Sequence, residues 1–202
     1  MGKCNPRGIQ HHEYFELEYP CKKRNPPPSR EQLQECLPNA SDACASKLPS
    51  QDPDKRRMAV VFRDPRNVVI SERRMRMEVY ETHKIFPPLP EYIRRRFQTI
   101  VAWQFERWMW HTTYFKAASH VMFYEDLEGD PEALVDLAAF MGLNCPNEEA
   151  KVVWEKHRNA NPHAGYESLG FPDEIYEHMN ATMSALLPEA MLDRYGLKLS
   201  NR

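Results

Sequence analysis

The chain has 202 residues, with 27 Lys/Arg, 29 Asp/Glu and a formal net charge of −2. That length suits one domain with a substantial core, and the near-neutral balance argues against a general polyanion binder. No stretch approaches the roughly 20 apolar residues of a membrane span, and the opening MGKCNPRGIQ holds no apolar signal-peptide core.

Residues 1–54 carry 8 of the 17 prolines, including Pro26-Pro27-Pro28, and show no sustained periodicity. They read as a loop-rich, partly disordered segment. Four of the five cysteines (Cys4, Cys21, Cys36, Cys44) lie here without the paired spacing of a zinc site, so no metal is expected; free thiols are the favoured reading, with a disulfide-bearing luminal segment as the alternative. One island, His11-His12-Glu13-Tyr14-Phe15, holds groups able to take a proton.

Residues 55–202 read as a globular α/β domain. The apolar run Met58-Ala59-Val60-Val61-Phe62 predicts a buried strand that ends on Arg63 and turns into a helix over about 65–80. Asp64 is a good N-cap and Pro65 fits the first helical position. The turn offers the Arg63 fork, backbone N–H groups and, two turns on, the Ser71 hydroxyl, a set that suits a phosphate dianion. Asn67, Ser71 and Arg74 fall on one helix face. Residues 55–107 hold 13 basic and 6 acidic side chains, a local +7 that fits an anion site; for Arg94-Arg95-Arg96 alone, a solvated face is the simpler reading.

After Pro87, Pro88 and Pro90, a helix is expected over about 91–117. Phe97, Val101, Phe105, Trp108, Thr112 and Phe115 form its core-facing stripe, with Trp103 and Trp110 beside it, also read as core. His120-Val121-Met122-Phe123-Tyr124 predicts a second buried strand. A helix then follows, with Asp130 as N-cap, Pro131 at its start and Gly142 closing it. Further helices are expected near 147–158 and 173–187, the last broken by Pro188. Strands alternating with helices predict a parallel sheet.

Arg63-x7-Ser71 across a strand-to-helix junction resembles the 3′-phosphate motif of sulfotransferases that use 3′-phosphoadenosine 5′-phosphosulfate (PAPS). Phe123-Tyr124-Glu125-Asp126-Leu127, with the Asp-Pro-Glu helix after it, is similar to a downstream region of the same family. The resemblance covers about residues 56–200. It implies a three-layer P-loop-like α/β fold with a parallel sheet, an incomplete N-terminal part and a helix-rich C-terminal half. It also implies PAPS as sulfuryl donor, with Arg63 and Ser71 on its 3′-phosphate and Tyr124 near its adenine. The base would come from His11, His12 or Glu13, and the acceptor would be a small molecule or carbohydrate. The family's loop for the 5′-phosphosulfate, of the type Pro-Lys-x-Gly-Thr-Thr/Ser, has no counterpart: before residue 60 the glycines are Gly2 and Gly8. Its C-terminal Arg-Lys-Gly element is missing too.

Three readings follow. The first is a PAPS-dependent sulfotransferase acting on a hydroxyl or amine, cytoplasmic, or in the Golgi lumen if the chain is a fragment of a longer protein. The second is a truncated or degenerate member that binds nucleotide, or keeps the fold, without turnover. The third is a basic helical module using Arg73, Arg74, Arg76 and Arg94–Arg96, disfavoured because no nucleic-acid motif is present.

Overall fold

The structure, a computed structural model, describes residues 57–80, 85–143, 146–157 and 165–197. The 1–54 segment, with His11, His12, Glu13, Cys4, Cys21, Cys36 and Cys44, lies outside the described residues. Two compact units are present: one holds residues 57–62 and 110–157, the other 63–109 and 165–197.

In the first unit, strand β1 (Met58–Phe62) pairs in parallel with β2 (Ser119–Phe123), with Val60 opposite Val121. Together they form the two-stranded sheet of the described residues. Parallel strands need a long crossover, and here 56 residues separate them. The expected buried β1 is buried on one face. Val60 and Phe62 are buried while Ala59 and Val61 are exposed, because alternate side chains leave opposite faces and one face is covered.

Helix α3 (Tyr124–Gly129) starts directly at the end of β2, where no helix was expected before Gly129. Helix α4 (Glu132–Phe140) begins one residue later than expected, with Pro131 at the N-cap position, while Asp130 Oδ1 accepts the Glu132 N–H at 2.8 Å. It ends in a full Schellman motif: Leu143 N–H donates to Ala138 O and Gly142 N–H to Ala139 O. Gly142 has φ +74°, a backbone that a side chain would strain. Helix α5 (Asn147–His157) packs on α4, and Trp154 Nε1 donates to Leu127 O at 2.6 Å.

The second unit is helical. Helix α1 (Pro65–Met75) continues into a π-helical stretch over Arg76–Tyr80. It packs on the long helix α2 (Leu89–Met109), which packs on α6 (Asp173–Leu186). Helix α7 (Glu189–Arg194) follows Pro188. Phe97, Val101 and Phe105 are fully buried, and Val69, Ile175, Met179, Met183, Met191 and Leu192 complete the core. Helix α2 is shorter than the expected 91–117. A π-helical turn over Trp110–Tyr114 follows it, with Phe115 N–H donating to Trp110 O five residues back. Trp108, which precedes that turn, and Thr112 within it are half-buried rather than core. Among the described residues no helix is long and apolar enough to cross a membrane.

Candidate anion cleft

The strand-to-helix turn works differently from its expected role. Asp64 caps α1, and Pro65 follows it. The Asp64 Oδ1 accepts the Arg66 N–H at 2.9 Å, and Asp64 O accepts the Asn67 and Val68 N–H groups, each at 3.0 Å. Pro65 has no N–H. The backbone donors expected to face a phosphate are therefore already engaged by Asp64.

Asp64 also holds Arg66. The guanidinium reaches the carboxylate through Nε at 2.9 and 3.0 Å and through Nη2 at 2.6 Å. Nη2 donates to Tyr195 O at 2.8 Å and Nη1 to Asn180 Oδ1 at 3.3 Å, while the Tyr166 ring lies 4.3 Å from the guanidinium carbon. Asn180 is thus a helix side chain engaged with Arg66. Burial works against the Arg66 charge, but the hydrogen bonds and charge of Asp64 outweigh it and hold its pKa above the ordinary value. Burial also pushes the Tyr166 phenol up to about 12; Arg66 opposes that rise, while Asp64 and Glu167 add to it.

Arg63 and Ser71 line one cleft of about 700 Å³ between α1 and α2, a size usual for ligand sites. Gln104 Nε2 donates to Arg63 O at 3.0 Å and so ties the start of α1 to α2. The cleft also takes in Glu72, Arg76, Arg96 and Trp103, with Val68, Met75, Thr99 and Ile100 as its less polar lining. Three arginines against one glutamate make it cationic. Glu72 Oε1 accepts from Arg96 Nη2 at 2.8 Å and lies 3.1 Å from Arg76 Nε. Burial lowers the Arg96 pKa, but hydrogen bonding and charge from Glu72 more than reverse this. Trp103 is 46% exposed and carries the Arg107 guanidinium 3.9 Å from its ring centre.

Two sequence expectations change here. Trp110 is core, but Trp103 is a cleft wall. The Arg94–Arg96 run is not uniform. Arg94 pairs with Glu174 and Arg95 with Glu91, both exposed, whereas Arg96 turns into the cleft. Arg73 donates to Pro87 O. Asn67 leaves the Ser71 set: its Oδ1 accepts the Tyr166 N–H at 2.9 Å.

Tyr124 stands at the first position of α3, half-buried, in the unit that does not contain the cleft. Glu125 and Asp126 lie in the same short helix, where Asp126 O accepts the Asp130 N–H, a structural use of this segment. Sequence reasoning missed Glu72 and Trp103 and gave Arg96 only to the basic-module reading. Their signal was present: Arg96, Ile100, Trp103 and Arg107 repeat at i, i+4, i+7 and i+11 along α2, and Glu72 and Arg76 are four apart on α1.

Among the described residues no group of three or more His, Cys, Asp or Glu comes together as a metal site would require. No family model matches the chain, and neither a curated protein nor a solved structure matches it.

Proposed function

We propose that the α1–α2 cleft holds the 3′-phosphate of PAPS and that the chain transfers a sulfuryl group from it to a hydroxyl or amine of a small molecule or carbohydrate. The supporting observation is that Arg63 and Ser71, the two ends of the Arg-x7-Ser pattern, line the same cationic cleft. The guanidinium would give paired charge-assisted hydrogen bonds to phosphate oxygens, and the hydroxyl a third. Tyr124 is the proposed adenine neighbour. The finer fold proposal, a three-layer P-loop-like sulfotransferase domain, rests on the same pattern.

In the transfer, an acceptor oxygen or nitrogen attacks sulfur in line. The new bond to sulfur forms as the sulfur–oxygen bond to the 5′-phosphate breaks, and adenosine 3′,5′-bisphosphate leaves. The acceptor's proton passes to a base, for which His11, His12 and Glu13 are the candidates. A second reading, binding without turnover, is favoured by one observation. No Gly-Thr-Thr/Ser loop occurs in the 202 residues to hold the leaving phosphate's charge.

Calorimetry with adenosine 3′,5′-bisphosphate tests the site. Wild type should bind, and Arg63→Ala should bind about 10- to 100-fold more weakly, the loss of a charged hydrogen-bond partner. No binding by wild type would sink both readings. Where binding is found, transfer of radiolabelled sulfate from PAPS to phenols, amines and sugars separates enzyme from binding protein.

A further inference from the structure

We propose that Glu72 is a built-in counter-anion in the cleft, and that a phosphate or sulfate group of the ligand displaces it and takes over Arg96 and Arg76. This rests on the cleft being an anion site, as proposed above, but not on the ligand being PAPS.

The argument starts from unmatched hydrogen-bonding capacity. One carboxylate oxygen, Glu72 Oε1, meets both guanidinium groups. The other, Oε2, is buried without a hydrogen-bond partner, and so is Arg96 Nε. The Arg96 guanidinium interacts with the Tyr92 phenol, which helps to hold its charge, although the contact falls short of full hydrogen-bond geometry. A buried polar atom left unmatched is unfavourable. In this arrangement the Glu72 carboxylate turns one oxygen to both guanidinium groups. A tetrahedral dianion has oxygens in several directions and can meet both.

Exposure points the same way. The Glu72 side chain is 17% exposed and that of Arg96 35%, so the pair is neither sealed in the core nor loose on the surface. It borders the cleft that Arg63 and Ser71 enter. With Glu72 swung out, the cleft gains two guanidinium groups and loses its one negative charge. The ligand class is a phosphomonoester or sulfate dianion. Arg96 becomes a determinant of its affinity, with Glu72 setting how much of that affinity is expressed.

The test is titration of the full chain with inorganic phosphate, and separately with adenosine 3′,5′-bisphosphate, followed by calorimetry. Glu72→Gln keeps the side-chain shape and removes the competing charge. It should bind phosphate about tenfold more tightly than wild type, equivalent to about 1.4 kcal/mol. Arg96→Ala should bind about tenfold more weakly. Arg95→Ala, which removes the same charge from the same helix outside the cleft, should change affinity less than about twofold. A thermal melt of each variant checks folding, and should Glu72→Gln fail to fold, Arg96→Ala against Arg95→Ala decides alone. Unchanged or weaker phosphate binding by a folded Glu72→Gln, or equal losses in Arg95→Ala and Arg96→Ala, overturns the proposal. Failure of the PAPS reading looks different: the bisphosphate would bind no more tightly than inorganic phosphate, while the Glu72 and Arg96 effects persist.

Discussion

Helix α1 presents two arginine–carboxylate clusters that share their chemistry and differ in completeness. At its N-terminus, Asp64 and Arg66 have side chains only 9% and 7% exposed, and each nitrogen of the Arg66 fork reaches an acceptor. Two turns on, Glu72 serves Arg76 and Arg96 through one oxygen while its other oxygen stays unmatched beside an open cleft. The first arrangement ties together residues 129 apart in sequence and leaves nothing for a ligand. The second leaves donor and acceptor capacity where a ligand can arrive. The two clusters therefore differ in what they leave unsatisfied, not in being charged.

Breaking the complete cluster should have the largest effect. Asp64→Ala strands the buried Arg66 guanidinium and removes the α1 cap. Loss of one partner of a buried pair costs about 3–5 kcal/mol, and the lost cap adds to it. Urea unfolding should show this as a large fall in midpoint. A loss under about 1 kcal/mol would mean that the site relaxes to admit water, and the contrast with the cleft would collapse.

The next effect is smaller and concerns the rim of the same cluster. The Tyr166 phenol is raised in the folded state from its ordinary value of 10.0 to about 12, with burial as the leading cause. The folded chain therefore holds that proton longer than the unfolded one. The contribution is full below pH 10 and is lost as the pH climbs through about 12. Unfolding free energy should fall across this window, and Tyr166→Phe should fall less steeply. Parallel slopes in the two proteins would show that burial does not raise the Tyr166 phenol in the folded chain.

Much of the scaffold was legible because local chemistry specifies it. Asp64-Pro65 after an apolar run, and Asp130-Pro131 ahead of Gly142, each carry their capping partners within a few residues. The Phe97, Val101 and Phe105 stripe was equally local, as helical spacing alone puts the three on one side. Arg63 and Ser71 could be paired in the sequence because both fall at one strand-to-helix junction, and both line the cleft. The role of Arg66 was hidden, since its acceptors Asn180 and Tyr195 come from the far end of the chain. Within Arg94-Arg95-Arg96 the residue type carries no information, and only the turn of α2 against α1 selects Arg96. Trp103 was misread for the same reason: aromatic character predicts burial on average, and the helix phase here turns it to the cleft.

That phase argument makes the smallest prediction the sharpest. Arg95 sits one residue before Arg96, pairs with Glu91 four residues back on the same helix, and is 67% exposed. An exposed helical pair of this kind is worth about 0.3–0.5 kcal/mol and is screened by salt. Arg95→Ala should therefore shift the urea midpoint slightly at low salt and not at all at high salt. Arg96→Ala removes an identical charge, yet it leaves Glu72 with Arg76 as its partner in a half-buried site, so its stability loss should persist in salt. If the two variants responded alike to salt, Arg96 would be a surface charge like its neighbour. The difference between the complete and the incomplete cluster on α1 would then have no bearing on binding.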